Sequence, residues 1–379
     1  MIKKILLIVL VLIVFLAVFL PLILKMVGRS GFPFSIGSSS GTGGNILLSG
    51  DFGETWTSSN ISEEDKIPFP SQIYGLTFHP QNSDIIYLAS KGSSFWKSSN
   101  GGKSWKKMAD KTGTLKPAAD IYKVASSPAN PKIIYLAAYQ DSRGKVLRSE
   151  DNGDSFKEIY QVTSNGYGVF DIFVSPGNSN DITIITGQGG FLQSLNGGQT
   201  WRVKKWFSDS LTKLIVNPSF PSEMYLLTSG QNLYKTFDGG DTWTDITSGA
   251  GGSSRSLTGD NPFSSGSKSN SLNGIINSLT VVPQGALYMS AAKNIIKSTD
   301  GGYSWSSIDV LLPPNGTSIS AVAVSPQNSN IILAGVGNQI YKSIDAGLDW
   351  KVISLPSSKT TNALLYNPLK SGTVFAITQ

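Results

Sequence analysis

The side chains most able to do chemistry recur in one fixed frame. Seven times, an acid or amide follows Ser or Thr by two residues and precedes a glycine, a small polar residue and an aromatic ring. The strings are SGDFGETW at Ser49–Trp56, SSNGGKSW at Ser98–Trp105, SEDNGDSF at Ser149–Phe156, SLNGGQTW at Ser194–Trp201, TFDGGDTW at Thr236–Trp243, STDGGYSW at Ser298–Trp305 and SIDAGLDW at Ser343–Trp350. Their acid or amide positions are Asp51, Asn100, Asp151, Asn196, Asp238, Asp300 and Asp345. Carboxylates can act as general acids or as calcium ligands. EF-hand-type loops, however, set several carboxylates at alternate positions, whereas each box carries one at its centre. The boxes therefore read as hairpin turns. The Asp or Asn side chain accepts hydrogen bonds from backbone N–H groups two residues on. The glycine supplies a positive φ, and the hydroxyls tie the turn across its base. The ring buries roughly 150–250 Å² between neighbouring units.

Other chemistry is scarce. The chain of 379 residues has no cysteine and one histidine. This excludes disulfides, Cys-based zinc or iron–sulfur sites and thiol catalysis, and it leaves one imidazole for any triad. His79 precedes Pro80, a place taken elsewhere by Ser127, Ser175, Asn217, Val282, Ser325 and Asn367, so it reads as a turn residue. The string GAGG lacks the strand–helix context and following Lys of a phosphate loop. No cofactor, metal or catalytic residue is assigned.

The elements that carry the boxes form a second repeat. An apolar run ends at a proline, a polar turn follows, and a second apolar run returns. The prolines are Pro80, Pro128, Pro176, Pro218, Pro283, Pro326 and Pro368. A unit of about 40–50 residues with four short β-rich runs is the pattern of a four-stranded propeller blade. Each unit reads as strand A ending at the proline, strand B, strand C, the box, then strand D opening with the aromatic residue. The chain begins with a strand C, box and strand D, and finishes with strands A and B. Pairing the two ends completes one blade and leaves no open edge. The expected fold is all-β, a seven-bladed propeller over 45–379, monomeric. Residues 248–274, SGAGGSSRSLTGDNPFSSGSKSNSLNG, read as a flexible insertion in one D–A connection.

Ahead of the propeller, Ile5 to Leu24 run without a charge. As a helix this segment spans roughly 30 Å, the thickness of a bilayer core. Residues 1–27 are read as an uncleaved signal anchor and 28–44 as a Gly/Ser-rich tether. Lys3 and Lys4 before the run favour an extracytoplasmic propeller on a single-pass cell-membrane protein; secretion after signal cleavage is the alternative. The formal charge of +6 draws on Lys3, Lys4, Lys25 and Arg29 around this run. Setting these aside leaves 27 basic against 25 acidic residues, so a nucleic-acid partner is not expected.

The boxes resemble the bacterial neuraminidase repeat, or Asp-box, superfamily of propellers, across about residues 45–379. This superfamily includes sialidases, xyloglucanase-type hydrolases, sortilin-type receptors and photosystem assembly-factor-like proteins. Such a resemblance implies the propeller fold and leaves function open. A sialidase would imply an arginine triad and an R-I-P string, and the chain has five arginines and no such string. A xyloglucanase would imply two carboxylates in a cleft between two propellers, and this chain holds one propeller, with Asp120 and Asp171 the acids of its strand-A segments. The assembly-factor-like group is the best architectural match and implies a binding role.

Aligning the units on their prolines marks where a ligand would sit. Six residues before each proline stand Tyr74, Tyr122 and Phe170 in the first three units, then small or polar residues. Five before stand Lys123, Asp171 and Lys213 in the second to fourth units, with Gly, Ser or Ala elsewhere. The adjacent RVKKWFSDS segment is read as a loop that adds Lys205 and Trp206. The expected function is a binding or scaffold module for a protein or a cell-surface polysaccharide. The alternative is a glycoside hydrolase-like enzyme using a carboxylate pair in the central mouth.

Overall fold

A computed structural model of the chain describes residues 45–64, 67–247, 278–291, 293–313 and 318–379. The expected membrane helix of 1–27, the tether of 28–44 and the insertion of 248–274 lie outside the described residues. No helix among the described residues is long and apolar enough to cross a membrane.

The described strands form seven four-stranded antiparallel sheets. Blades 1 to 6 follow the chain, and their A strands are Ile73–Phe78, Asp120–Ser126, Val169–Val174, Leu211–Val216, Ser278–Val281 and Ile319–Val324. Blade 7 is composite. Thr361–Tyr366 and Val374–Thr378 supply its A and B strands, and Asn45–Ser49 and Thr57–Ser58 supply C and D. Asn45 pairs with Thr378 and Ser49 with Val374, so the two ends of the propeller are one continuous ladder.

Burial grades across each blade. The B strands, such as Ile86–Ser90 and Ile182–Thr186, are buried along their whole length. The D strands are largely exposed and shrink to two residues in blades 1, 4 and 7. A strands pack against A strands of the next blade and so form the innermost layer. Instead of one central core, the described residues form seven apolar clusters, each built from two adjacent blades. Ile134 and Phe95 share one cluster and Phe375 and Trp96 another, and the latter closes blade 7 onto blade 1.

The prolines end the A strands for a definite reason. In every blade the residue before proline donates the last ladder bond, as His79 N does to Ile85 O at 3.0 Å and Asn217 N to Glu223 O at 2.9 Å. Proline has no N–H to continue, so the ladder stops and the chain turns. That turn then meets the box of its own blade. Gly101 N donates to Asp84 O, Gly197 N to Asn180 O and Ala346 N to Asn330 O, all at 2.9 Å. The A–B turns and the boxes therefore share one face. The A strands begin at the opposite face, here called the mouth.

Candidate functional site

The boxes form one conserved-geometry turn in this chain, seven times over. At the first, Ser49 Oγ donates to Asp51 Oδ1 at 2.7 Å and accepts from Gly53 N at 2.9 Å. Asp51 Oδ1 accepts from Glu54 N and Thr55 N at 3.0 and 2.9 Å, and Oδ2 from Thr55 Oγ1 at 2.6 Å. The carboxylate thus captures N–H groups three and four residues on, not two. It is the leading Ser or Thr hydroxyl that meets the N–H two residues on. Asn100 and Asn196 keep the same acceptor role and donate their amide to Ser104 and Thr200. Burial opposes ionisation of Asp51 and Asp300, yet their hydrogen bonds prevail and hold both at about 2. Asp151 is brought to about 2 chiefly by Ser155, and Asp238 lies lower still, chiefly through Thr242.

Two successive left-handed residues build each turn. The first need not be glycine, since Phe52, Asn152 and Ala346 occupy it with φ of 58°, 64° and 63°. The second is glycine in every box, for two reasons. Its φ is positive, and its α-carbon presses on the preceding blade. A β-carbon on Gly198 would lie 2.4 Å from Ile159, and one on Gly347 2.2 Å from Ile308. The box aromatic also packs on the preceding blade, and it sits just ahead of strand D instead of opening it. Trp105, Trp201 and Trp350 donate their indole N–H to that blade, at Ser59 O, Ile159 O and Asp309 O. Trp56, Trp243 and Trp305 donate to the glycine carbonyl of their own box. With the leading hydroxyl and the central Asp or Asn engaged in the turn and the aromatic residue and second glycine set against the preceding blade, the boxes are inter-blade clamps.

The mouth differs from blade to blade. In six blades the A strand carries a register shift that spans the position six before the proline, for example between Ile121 and Lys123 and between Val169 and Asp171. Tyr74, Tyr122, Phe170, Thr212, Ser320 and Asn362 are the extra residues of these bulges. A bulge re-aims a side chain at a sheet edge. Here it brings three rings together across blade boundaries. Tyr74 and Tyr122 lie 5.1 Å apart, and Tyr122 and Phe170 5.2 Å apart edge-on. Gly168 makes this possible, because a β-carbon there would sit 2.6 Å from the Phe170 ring and 2.9 Å from Tyr122. The rings are half-buried. Burial raises both tyrosine hydroxyls above their ordinary range; Asp120 adds to this at Tyr74, and Tyr74, Asp120 and Tyr139 add to it at Tyr122.

One residue further on, Lys123, Asp171 and Lys213 occupy equivalent places in blades 2, 3 and 4. Lys123 Nζ lies 3.4 Å from Asp171 Oδ1. Asp171 is buried and accepts from Ile172 N at 2.9 Å and from Leu214 N of the next blade at 3.3 Å. Burial pushes the Lys213 ammonium below the usual lysine range; Asp171 opposes that and Lys123 adds to it. The second acid of these strands, Asp120, accepts from Gly92 N of the neighbouring loop at 2.7 Å. Among the described residues, no arginine lies on an A strand and no cluster of His, Asp and Glu could hold a metal ion.

Lys205 and Trp206 are elsewhere. Arg202–Trp206 is the outer strand of blade 3, not a loop, with Trp206 paired to Gly190 and 54% exposed. Neighbouring Lys204 clamps the next blade through Gly239 O and Asp241, and Phe207 is buried against Tyr234 and Trp243. His79 is a buried turn residue whose Nδ1 accepts from Gln81 N at 3.1 Å; burial, and then Lys97, lower its pKa.

Sequence reasoning missed a third repeat. The residue before each box faces a strand-B residue, and in four blades this is a cation over a tyrosine: Lys97 on Tyr87, Arg148 on Tyr135, Lys235 on Tyr225 and Lys297 on Tyr288. Lys235 is the extreme case. It is buried, paired with Glu223 at 2.7 Å and also faces the rings of Phe237 and Tyr303. The signal was a basic residue immediately before the box serine or threonine, visible in the strings WKS, LRS, YKT and IKS; the same pattern in YKS sets Lys342 opposite Leu333 instead of a ring.

Fold and repeat together define a class: a seven-bladed β-propeller whose blades each carry an Asp-box turn. A family profile described as "Sortilin, neurotensin receptor 3" (Sortilin-Vps10) matches residues 44–165. Solved structures extend the likeness around the ring at the level of fold. The GH74 enzyme of Niastella koreensis is 19% identical with a TM-score of 0.61, over 81% of this chain and 51% of that one. The GH74 xyloglucanase from Xanthomonas campestris is 16% identical with the same score, over 81% and 50%. YCF48 from Cyanidioschyzon merolae is 14% identical with a TM-score of 0.61, over 82% of this chain and 97% of that one, and YCF48 bound to D1 peptide is 15% identical with a score of 0.60, over 81% and 93%. The chain thus spans about half the length of the GH74 enzymes and nearly all of YCF48. No curated protein sequence matches it.

Proposed function

We propose that this propeller is a membrane-anchored, extracytoplasmic binding or scaffold module that holds a protein or a cell-surface polymer at its mouth. The observation that carries this reading is the asymmetry of the inner strands. Rings and lysines are gathered on blades 1 to 4, while both acids of these strands, Asp120 and Asp171, are already held by backbone N–H groups. Partly exposed aromatic rings beside cations at a concave opening are effective anchors for a ligand. Hydrolysis of a glycan needs a carboxyl group free to donate a proton and a second one about 5–10 Å away. The likeness in length and fold to YCF48, one structure of which holds a D1 peptide, supports the binding role. The likeness to GH74 enzymes supports the second reading, a hydrolase.

Affinity capture with the full-length protein, beside a glycan array and an assay for released reducing ends, separates the two. Ligand retention that is lost in Phe170→Ala and Tyr122→Ala, without turnover, is the expected result. Release of reducing ends that disappears in Asp120→Asn or Asp171→Asn overturns it.

A further inference from the structure

We propose that the mouth recognises an acidic polysaccharide through the carboxylate of a uronic acid unit, with Lys213 as its counter-ion. This rests on the binding reading above and names the class of ligand. Among the described residues Lys213 makes no ion pair or hydrogen bond through its ammonium, and its charged neighbours are Lys123 and Asp171. Asp171 cannot serve it fully. That carboxylate is shared with Lys123 and bound by two backbone N–H groups. The described A strands of blades 5, 6, 7 and 1 read SLTV, ISAVAV, TNALLY and IYGLTF, with no charge to offer. An ammonium crowded by protein without a partner is costly, and an anion supplied from outside removes that cost. Around Lys213 itself two lysines face one aspartate, a local surplus of one positive charge that a single carboxylate would match; Asp120, the second acid of these strands, acts on Tyr74 and Tyr122 instead.

The level above the charges selects a sugar over a peptide. There, the bulge residues of blades 1 to 3 are rings, and those of blades 4, 6 and 7 are Thr212, Ser320 and Asn362. Thr212 Oγ1 donates to Leu227 O at 3.0 Å, and Ser320 Oγ donates to backbone carbonyls of its own and the next blade. Each hydroxyl thus commits its one proton to backbone carbonyls and is left with acceptor capacity only. A pyranose unit has an apolar C–H face for the Tyr122–Phe170 side and hydroxyl donors for the opposite side. An extended peptide would bring backbone N–H and C=O groups that need partners of both kinds.

The test is calorimetric titration of the full-length protein with oligogalacturonate, its methyl ester and polyglutamate. Oligogalacturonate is expected to bind, with the ester weaker by about tenfold or more, as one charge-assisted contact implies. Lys213→Met is expected to weaken oligogalacturonate by about tenfold or more without lowering the unfolding midpoint, and Lys213→Arg to retain binding within about threefold. Phe170→Leu is expected to weaken acid and ester alike. Equal binding of acid and ester, indifference to Lys213→Met, or tighter binding of polyglutamate overturns the inference. If polyglutamate or the ester binds and Phe170→Leu impairs it, the mouth is still a binding site and only the assigned ligand is wrong. If no probe binds and the capture experiment returns nothing sensitive to Phe170, both readings fall.

Discussion

The two faces of the ring use the same repeat in opposite ways. On the box face, seven copies of one turn adopt one geometry, and the central Asp or Asn of each spends its hydrogen-bonding capacity within its own turn. At the mouth, equivalent positions hold rings, charges, hydroxyls, an amide or nothing larger than alanine. The box face shows that a repeated carboxylate can be wholly structural. The mouth shows that a ligand preference can be written by breaking the repeat at the inner strands. In a closed ring of blades the clamps must be alike, because each contributes to the interface before it, whereas the inner ends of the A strands make few demands on packing.

Substitutions sharpen this contrast. Largest should be Gly198→Ala. It forces a β-carbon into left-handed backbone and against Ile159, for a loss of about 3 kcal/mol by chemical denaturation. An equal loss for Gly239→Ala, whose β-carbon meets nothing within 4 Å, would show that backbone strain alone explains the box glycines. Next, Asp51→Ala should cost about 1–2 kcal/mol by removing several turn hydrogen bonds, with Asp51→Asn costing less, as Asn100 and Asn196 already illustrate. At the mouth the sign should reverse. Lys213→Met should leave stability unchanged or raise it by up to about 1 kcal/mol, because a crowded, unpaired charge is removed.

Acid should act on the box face first. The carboxyl groups of Asp51, Asp151 and Asp300 stand at about 2 in the fold against 3.8 when unperturbed. Their stabilisation is complete above about pH 4 and is lost as pH falls toward about 2, since protonation is easier in the unfolded chain. Replacing these three by Asn should flatten the stability curve in that window, as followed by circular dichroism against pH; an unchanged acid limb would mean that other carboxylates set it. The smallest effect should come from Ala346→Gly, which relaxes a φ of 63° and raises stability by under about 1 kcal/mol.

Much of this was legible in the residues. The seven boxes and seven prolines gave the blade count, and the phase of the chain ends gave the closure through Asn45–Ser49 and Val374–Thr378. The three rings and the Lys–Asp–Lys series were visible once the units were aligned on proline. The RVKKWFSDS segment was misread as a loop, because its polar composition suits an exposed outer strand equally well. Lys205 and Trp206 thus belong to the outer strand of blade 3, while Lys123, Asp171 and Lys213 lie on inner ones.

What the sequence determined by itself is local and periodic: a glycine where φ must be positive, a proline where a ladder must stop, a Ser/Thr–Asp/Asn pair where a turn must bind its own N–H groups. Such features depend on residues within one turn of chain. What only the tertiary structure decided is radial and inter-blade. That one residue of each shifted A strand is a bulge depends on its pairing with strand B of the same blade; that the second box glycine touches the previous blade, and that Lys213 makes no ion pair among the described residues, depend on contacts with a different blade. They arise from packing twisted sheets around an axis, which sets one blade against the next and gives each inner strand a neighbour that its own sequence does not name.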